Sequence, residues 1–415
     1  MNVSRFIARK MSDGDVGEEK GRISIISNRI AWISVAISIA IMIIAIAVVL
    51  GFKSEIREKA TGFMGSVILV APGQSPLNEQ YPSSDSFSCA GRISDLNYVK
   101  SVDGVAYRSG IIKNDNQING LYFKGVDSLY DLSFFEKSLV EGKLPDFKGR
   151  VSNDVLISRR LASSLNYKVG DDLVAYFIGN DVKVRKFTIC GLFDAQLEDV
   201  DKTMALIDLR HVQRLNGWTS NQISSIEVRI DPAKDIPQAT DEIENILFSF
   251  STEDDPSLFV TSITRVYAHL FDWLTLLDLN VLMVLLLMIA VAGFNMISAI
   301  LIILFEKISM IGLLKSLGMN NKGIGNVFLY RAGRIVGKGI LWGSVAALVI
   351  CCVQKYLKVI TLNPDNYFVK YVPIHISLLD VVLIDAAAAV VIMLILSVST
   401  IFISKISPDK TMRVE

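Results

Sequence analysis

Residues 333–339 read GRIVGKG, a run with the outline of nucleotide chemistry. A mononucleotide loop needs GxxxxGK followed by Ser or Thr, because its backbone amides wrap the phosphates and the hydroxyl reaches magnesium. Here the spacing is one residue short and Gly339 stands where the hydroxyl is required, so these glycines are read as packing positions in an apolar helix. The histidines His211, His269 and His375 are scattered, and with no HExxH or CxxC pattern each is read as structural or surface. Cys89 and Cys190 fall in a polar stretch, where two buried thiols and a disulfide both stay open, and Cys351 and Cys352 are adjacent in an apolar one. Asp380 and Asp385 begin another apolar run. An acid at membrane depth is a functional candidate, but both lie within two turns of that run's start and are read as helix-end residues. No nucleophile elbow or paired carboxylates occur, so the chain is expected to be non-catalytic, with no cofactor or metal of its own. An energy-using machine built on it must borrow an ATPase.

The spacing that does carry information is mechanical. From residue 281 to 305 only Asn295 and Ser298 are polar, enough helix at about 1.5 Å per residue to cross a hydrocarbon core of about 30 Å. Glu306 and Lys307 then arrive together, followed by Ile308, Ile311, Leu314 and Leu317 at helical spacing, with Lys315 off that stripe and Gly318 placed to stop the turn. A short amphipathic helix directly after a span is well placed to be pushed by something soluble.

Composition says what the elbow belongs to. The chain is 51% hydrophobic and 20% charged, so its charge must be segregated, and 42 basic against 42 acidic residues argue against a nucleic-acid partner. Residues 1–29 are polar and basic. Residues 30–50 are an almost unbroken Ile, Ala and Val run, longer than a signal-peptide core, and are expected to be retained as a first span entered from the cytoplasmic side. Residues 51–270 read as a stalk and an extracytoplasmic α+β domain, with strand-like runs at 66–70, 118–123, 154–157, 173–178, 182–189, 204–207 and 225–230 and helical patterns at 158–165, 209–215 and 237–248. At about 220 residues it can bury its own core. Residues 261–279 look like one helix running into the second span, 271–305, which would leave the domain hanging between two rigid helices. Then come a coupling helix and basic loop at 306–334, a third span at 335–353, an outer loop at 354–377, a fourth span at 378–403 and a basic tail at 404–415. Four spans with both ends inside satisfy the positive-inside rule.

With these residues in place, the chain resembles a known family. Glu306-Lys307 followed by Ile311-Gly312-Leu313-Leu314-Lys315-Ser316-Leu317-Gly318-Met319 is similar to the signature of FtsX-like ABC-transporter permeases. Gly293 to Ser298, and Tyr371-Val372-Pro373-Ile374 leading into Leu378-Leu379-Asp380, resemble the LolC/LolE branch. Residues 155–171 and 207–215 resemble the MacB-like periplasmic core domain, and Ile406-Ser407-Pro408-Asp409-Lys410 the family's C-terminal motif.

The resemblance implies an inner-membrane permease subunit, with the external domain inserted between the first two of four spans and the elbow docked into a cleft of a LolD-like cytoplasmic ATPase that binds ATP and magnesium. Ile311, Leu314 and Leu317 would be buried knobs at that ATPase. Glu306 and Lys315 would supply polar contacts and Gly312 and Gly318 close approach and termination, with Lys307 and Met319 also in the coupling motif. The work would be extraction of lipoproteins from membrane lipid toward a periplasmic carrier, in partnership with a second copy or a paralogue. In the LolC type a protruding hairpin recruits the carrier, whereas residues 174–189 here turn tightly at Gly179-Asn180-Asp181. MacB-like export of peptides or small molecules and FtsX-like signalling to cell-wall hydrolases are the alternatives.

Overall fold

The computed structural model describes residues 21–114, 117–179, 181–253 and 255–399. The chain divides into two compact units, one built from helices around Leu274–Thr361 and one from Lys53–Trp273 with Leu362–Tyr371. Among the described residues four helices are long and apolar enough to cross a membrane: Gly21–Met64, Ala268–Glu306, Asn321–Leu357 and Leu378–Ser399.

The helical unit packs around a dry cluster that includes Val35, Ile39 and Ile43 from the first long helix, Met296, Ile300 and Ile303 from the second, Phe328 and Val336 from the third, and Ile392 and Leu396 from the fourth. Glycines permit the close approach. A Cβ on Gly343 would lie 2.5 Å from the Ala36 carbonyl oxygen, and one on Gly339 2.7 Å from Val35 Cβ. The GRIVGKG run is thus part of a helix–helix seam. Residues 320–334, expected as loop, are helical from Asn321 onward: the Asn320 side chain caps the first turn by accepting from Gly323 N at 2.7 Å, and Ile324, Val327 and Phe328 are buried.

The second unit is α+β. Its strands are β1 (Val67–Val70), β2 (Ser83–Ser84), β3 (Val99–Asn114), β4 (Gln117–Val126), β5 (Leu139–Gly142), β6 (Asp154–Ser158), β7 (Asp172–Ile178), β8 (Val182–Phe193), β9 (Met204–Asp208), β10 (Gln222–Ile223), β11 (Ser225–Ile230) and β12 (Phe259–Ser262). The main sheet runs β12-β1-β11-β3-β4-β9-β6-β8-β5, and β7 pairs with both β3 and β8. Strands β3, β4, β9, β6, β8 and β7 therefore pair back onto themselves around a core of Phe123, Phe177, Phe187, Ile157 and Ile207. Alternation along β7 puts Leu173, Ala175 and Phe177 inside and Tyr176 and Ile178 outside. Helices start where the sequence offers caps: Ser158 accepts from Leu161 N, Asp208 from Arg210 N, and Asp235 from Gln238 N just ahead of Pro237.

Two further elements differ from expectation. Residues 261–279 are not one helix, because Thr261 and Ser262 are held in β12 by pairing with Ile68 and Val67. One turn, Ile263–Val266, follows; Tyr267 breaks it at φ −109° and ψ 46°, and the long helix begins at Ala268. Strand β3 is absent from the sequence reading, since Lys100, Asp103, Gly104, Arg108 and Gly110 interrupt its apolar alternation. Stalk residues 52–62 do continue the first long helix, which ends at Met64. All four cysteines are free thiols. Cys190 Sγ faces the Val155 carbonyl at 3.3 Å, and burial pushes its pKa up to about 12.

Candidate functional site

The elbow begins where the apolar supply ends. Glu306 closes the second long helix, Lys307 departs to φ −102° and ψ 23°, and a nine-residue helix, Ile308–Ser316, follows. The hydrogen-bond ladder bends without being lost: Lys307 N donates to Ile303 O at 3.0 Å and Ile311 N to Lys307 O at 3.1 Å. The far end closes as a Schellman motif, Met319 N donating to Leu314 O at 2.9 Å and Gly318 N to Lys315 O at 3.0 Å, with Gly318 at φ +87°. A side chain at that φ would be strained, so the residue type and the sharp stop belong together. Asn320 then caps the third long helix, leaving a connection of only residues 317–320.

Burial divides the predicted residues. Ile311 is 0% exposed, within the cluster that also holds Ile303, Leu304, Ile324 and Phe328, and Gly312 is buried. Leu314 and Met319 pack against the same cluster, and Ile308, Lys307 and Lys315 are half-buried. Leu317 is 75% exposed and Gly318 has open space around it. The Glu306 side chain lies outside the described residues. Of Ile311, Leu314 and Leu317, expected as knobs at the ATPase, only Leu317 is exposed in the chain by itself. Ile311 is already committed to the chain's own core, and the outward apolar pair is Leu317 with Leu313, which is 60% exposed. Leu313 and Leu317 stand one helical turn apart, on one face. That i, i+4 relation was readable in the sequence; what hid it was the competing Ile308-Ile311-Leu314 stripe.

The other chemistry candidates have structural partners. Ser344 Oγ donates to Asp385 across the third and fourth long helices, at 2.9 and 2.8 Å to its two oxygens. Asp380 Oδ2 accepts from Ser377 N at 2.9 Å while Ser377 Oγ accepts from Asp380 N at 3.2 Å, a reciprocal cap at the start of the fourth long helix. Asn295 Nδ2 donates to Ser34 Oγ, joining the first and second long helices. His211 Nε2 lies 3.1 Å from the Ser152 carbonyl, and burial lowers its pKa. Among the described residues no cluster of His, Cys, Asp and Glu is arranged to hold a metal.

One polar cluster has no counterpart in the sequence reading. Lys124 on β4 and Glu227 on β11 are both fully buried and 2.7 Å apart. The ammonium uses all three donors, to Glu227, to Tyr130 Oη at 2.7 Å and to the Phe63 carbonyl near the end of the first long helix. Glu227 also accepts from Tyr107 at 3.0 Å and Tyr130 at 3.1 Å. Burial draws the Lys124 pKa down to about 8, against the opposing pull of Glu227. A cation beneath a helix C-terminus also complements the helix dipole. The cluster fastens the stalk end to the sheet.

Comparison with known proteins follows the same division of the chain. A family model for the MacB-like periplasmic core domain matches residues 30–246, and one for the FtsX-like permease C-terminal region matches residues 282–408. The lipoprotein-releasing system transmembrane protein LolC of Xylella fastidiosa (strain 9a5c) is 23% identical over 401 residues, covering 92% of each chain. The corresponding LolE protein of Haemophilus influenzae is 21% identical over 410 residues, covering 94% of each. A solved structure, the periplasmic region of MacB from Actinobacillus actinomycetemcomitans, is matched over 50% of this chain and 94% of its own, at 15% identity and a TM-score of 0.33.

Proposed function

The chain belongs to the FtsX-like permeases that carry a MacB-like periplasmic core domain, and we propose that it is the membrane subunit of an ABC transporter that releases lipoproteins from the bacterial inner membrane. Similarity to LolC and LolE proteins along more than nine-tenths of both chains supports the substrate class. In this reading the four long helices cross the bilayer, both ends of the chain are cytoplasmic, and the α+β unit stands in the periplasm. A LolD-like ATPase supplies ATP and magnesium chemistry, a second copy or a paralogue completes the membrane part, and a periplasmic carrier accepts the cargo.

The observation that carries the coupling role is the pair Leu313 and Leu317, apolar and exposed, one on and one capping a nine-residue helix that directly follows a 39-residue one. An exposed apolar pair on so short a turn suits a shallow apolar cleft. Ile311, Gly312, Leu314 and Met319 hold the turn to the helical core from behind, so that a push on the pair moves the helix bundle. Gly318 and Glu306 delimit the lever.

The test is co-purification of the ATPase. Leu317→Asp with Leu313→Asp abolishes ATPase capture while the chain still reaches the membrane at parental level. Capture unchanged by the double substitution would remove the coupling assignment. Depletion of the protein tests the cargo: lipoproteins accumulate in the inner membrane, and normal partitioning would remove lipoprotein release.

A further inference from the structure

The outer loop between the third and fourth long helices is not a plain connector. Residues Leu362–Tyr371 belong to the same compact unit as Lys53–Trp273, so the external unit holds a third piece of chain besides its entry and exit. This piece closes on itself. Leu362 N donates to Lys370 O at 2.8 Å, and Phe368 N donates to Pro364 O at 2.9 Å, ending the turn Pro364–Tyr367. Val369 is only 3% exposed.

One ammonium from the stalk reaches it. Lys59, on the stalk, is itself nearly buried, and its Nζ donates to the Phe368 carbonyl at 2.8 Å and to Gln196 Oε1 at 2.9 Å, with Glu55 one turn back at 3.5 Å. Both acceptor residues are non-glycine residues in the left-handed region, Phe368 at φ 59° and Gln196 at φ 58°. Such backbone persists where surrounding contacts over-determine it. Here the contacts are visible: Lys370 and Arg159 share Asp194 Oδ2 at 2.9 and 2.8 Å, and the Trp273 and Phe368 rings meet edge to face at 6.1 Å.

We propose that residues 362–371 form a strap docked on the external unit, with Lys59 as its pin, so that a displacement of the stalk is passed through the strap to the third and fourth long helices. Use of the strap in coupling rests on the permease reading; its docking does not. Lys59 is a positioning residue that reads three segments at once: stalk, the loop leaving β8, and strap.

The experiment uses the full-length chain in membranes and a water-soluble maleimide. Val369→Cys reports docking, Asn366→Cys, exposed on the same strap, gives the unhindered rate, and the parent chain gives the background of native thiols. With Lys59 present, Val369→Cys is expected to react at least about tenfold more slowly than Asn366→Cys, and Lys59→Met is expected to bring the two within about twofold. Equal rates with Lys59 present, or protection that survives Lys59→Met, would overturn the pin. Should Lys59→Met also expose the buried Cys190, which marks loss of the domain itself, the same comparison is read on Lys370→Ala, where protection as strong as in the parent overturns the strap. Lipoprotein partitioning in the Lys59→Met strain then reads the strap's use. A freed strap with release slowed severalfold supports coupling through it; a freed strap with normal release removes that role while the permease reading stands on its own depletion test.

Discussion

Lys124 and Glu227 show what a buried pair costs and what it secures. Each ion pays a desolvation penalty of several kcal/mol that its partner and the added hydrogen bonds must offset, so the pair is a poor source of net stability and a severe point of failure. Lys124→Met leaves Glu227 uncompensated at full burial, and a loss of roughly 3–5 kcal/mol is expected; Lys124→Met with Glu227→Gln recovers a large part of it. Urea unfolding followed by the fluorescence of Trp218 gives both values, and a double variant as unstable as the single would mean that the two do not act as a pair. Asp201 offers the opposite case. Its side chain accepts from Ala195 N at 3.1 Å, and burial raises its pKa from 3.8 to about 6. A carboxyl whose folded-state pKa is raised binds its proton more tightly when folded, so the ionised form costs stability above pH 6, and the cost fades as pH falls from 6 toward 4. Asp201→Asn keeps an oxygen for the Ala195 amide and is expected to stabilise the unit at pH 8 by on the order of 1–2 kcal/mol, with no benefit left at pH 4. A gain equal at both pH values would assign the effect to packing instead.

At the scale of elements, the glycine seam is what the sequence could place but not orient. Gly339 and Gly343 face the first long helix at distances no Cβ tolerates, while Gly337, two residues before Gly339, has nothing within 4 Å. Gly343→Val is therefore expected to lower thermal stability in detergent by the cost of overpacking, roughly 1–3 kcal/mol, and Gly337→Val to be nearly neutral; equal effects would deny the seam. The same contrast explains what was legible. Half-buried strands such as β7, capped helices such as Arg159–Ser164 and Leu209–Asn216, and the Gly318 stop follow from local rules and were readable. Strand β3 was not, because its charges are neutralised by residues far along the chain, as Asp103 is by Arg229 at 3.1 Å and Arg108 by Glu79 at 3.7 Å. For the elbow, helical spacing showed that an apolar face exists, but which face the chain itself buries depends on Ile303 and Phe328, and no local pattern carries that information.

For the whole molecule, the decisive property is sidedness. Between Leu129 on the α+β unit and Leu317 on the elbow the chain runs through one helix long and apolar enough to cross a membrane, Ala268–Glu306, and in the proposed topology a single crossing there would put the two residues on opposite faces. The basic residues agree with that assignment, since Lys307, Lys315, Lys322, Arg331 and Arg334 cluster beyond this helix and would meet the cytoplasmic face. Both reporters are well exposed, Leu129 at 86% and Leu317 at 75%. In cells whose outer membrane has been made leaky, Leu129→Cys is expected to react with a membrane-impermeant maleimide at once, and Leu317→Cys only after the inner membrane is opened, with a difference of at least about tenfold in rate. Because both side chains are accessible within the chain, burial inside the chain itself cannot mimic the result, and a strain lacking the ATPase removes burial against that partner. Simultaneous reaction of the two would place the elbow and the folded unit on one side, and an elbow there has no cytoplasmic ATPase to meet.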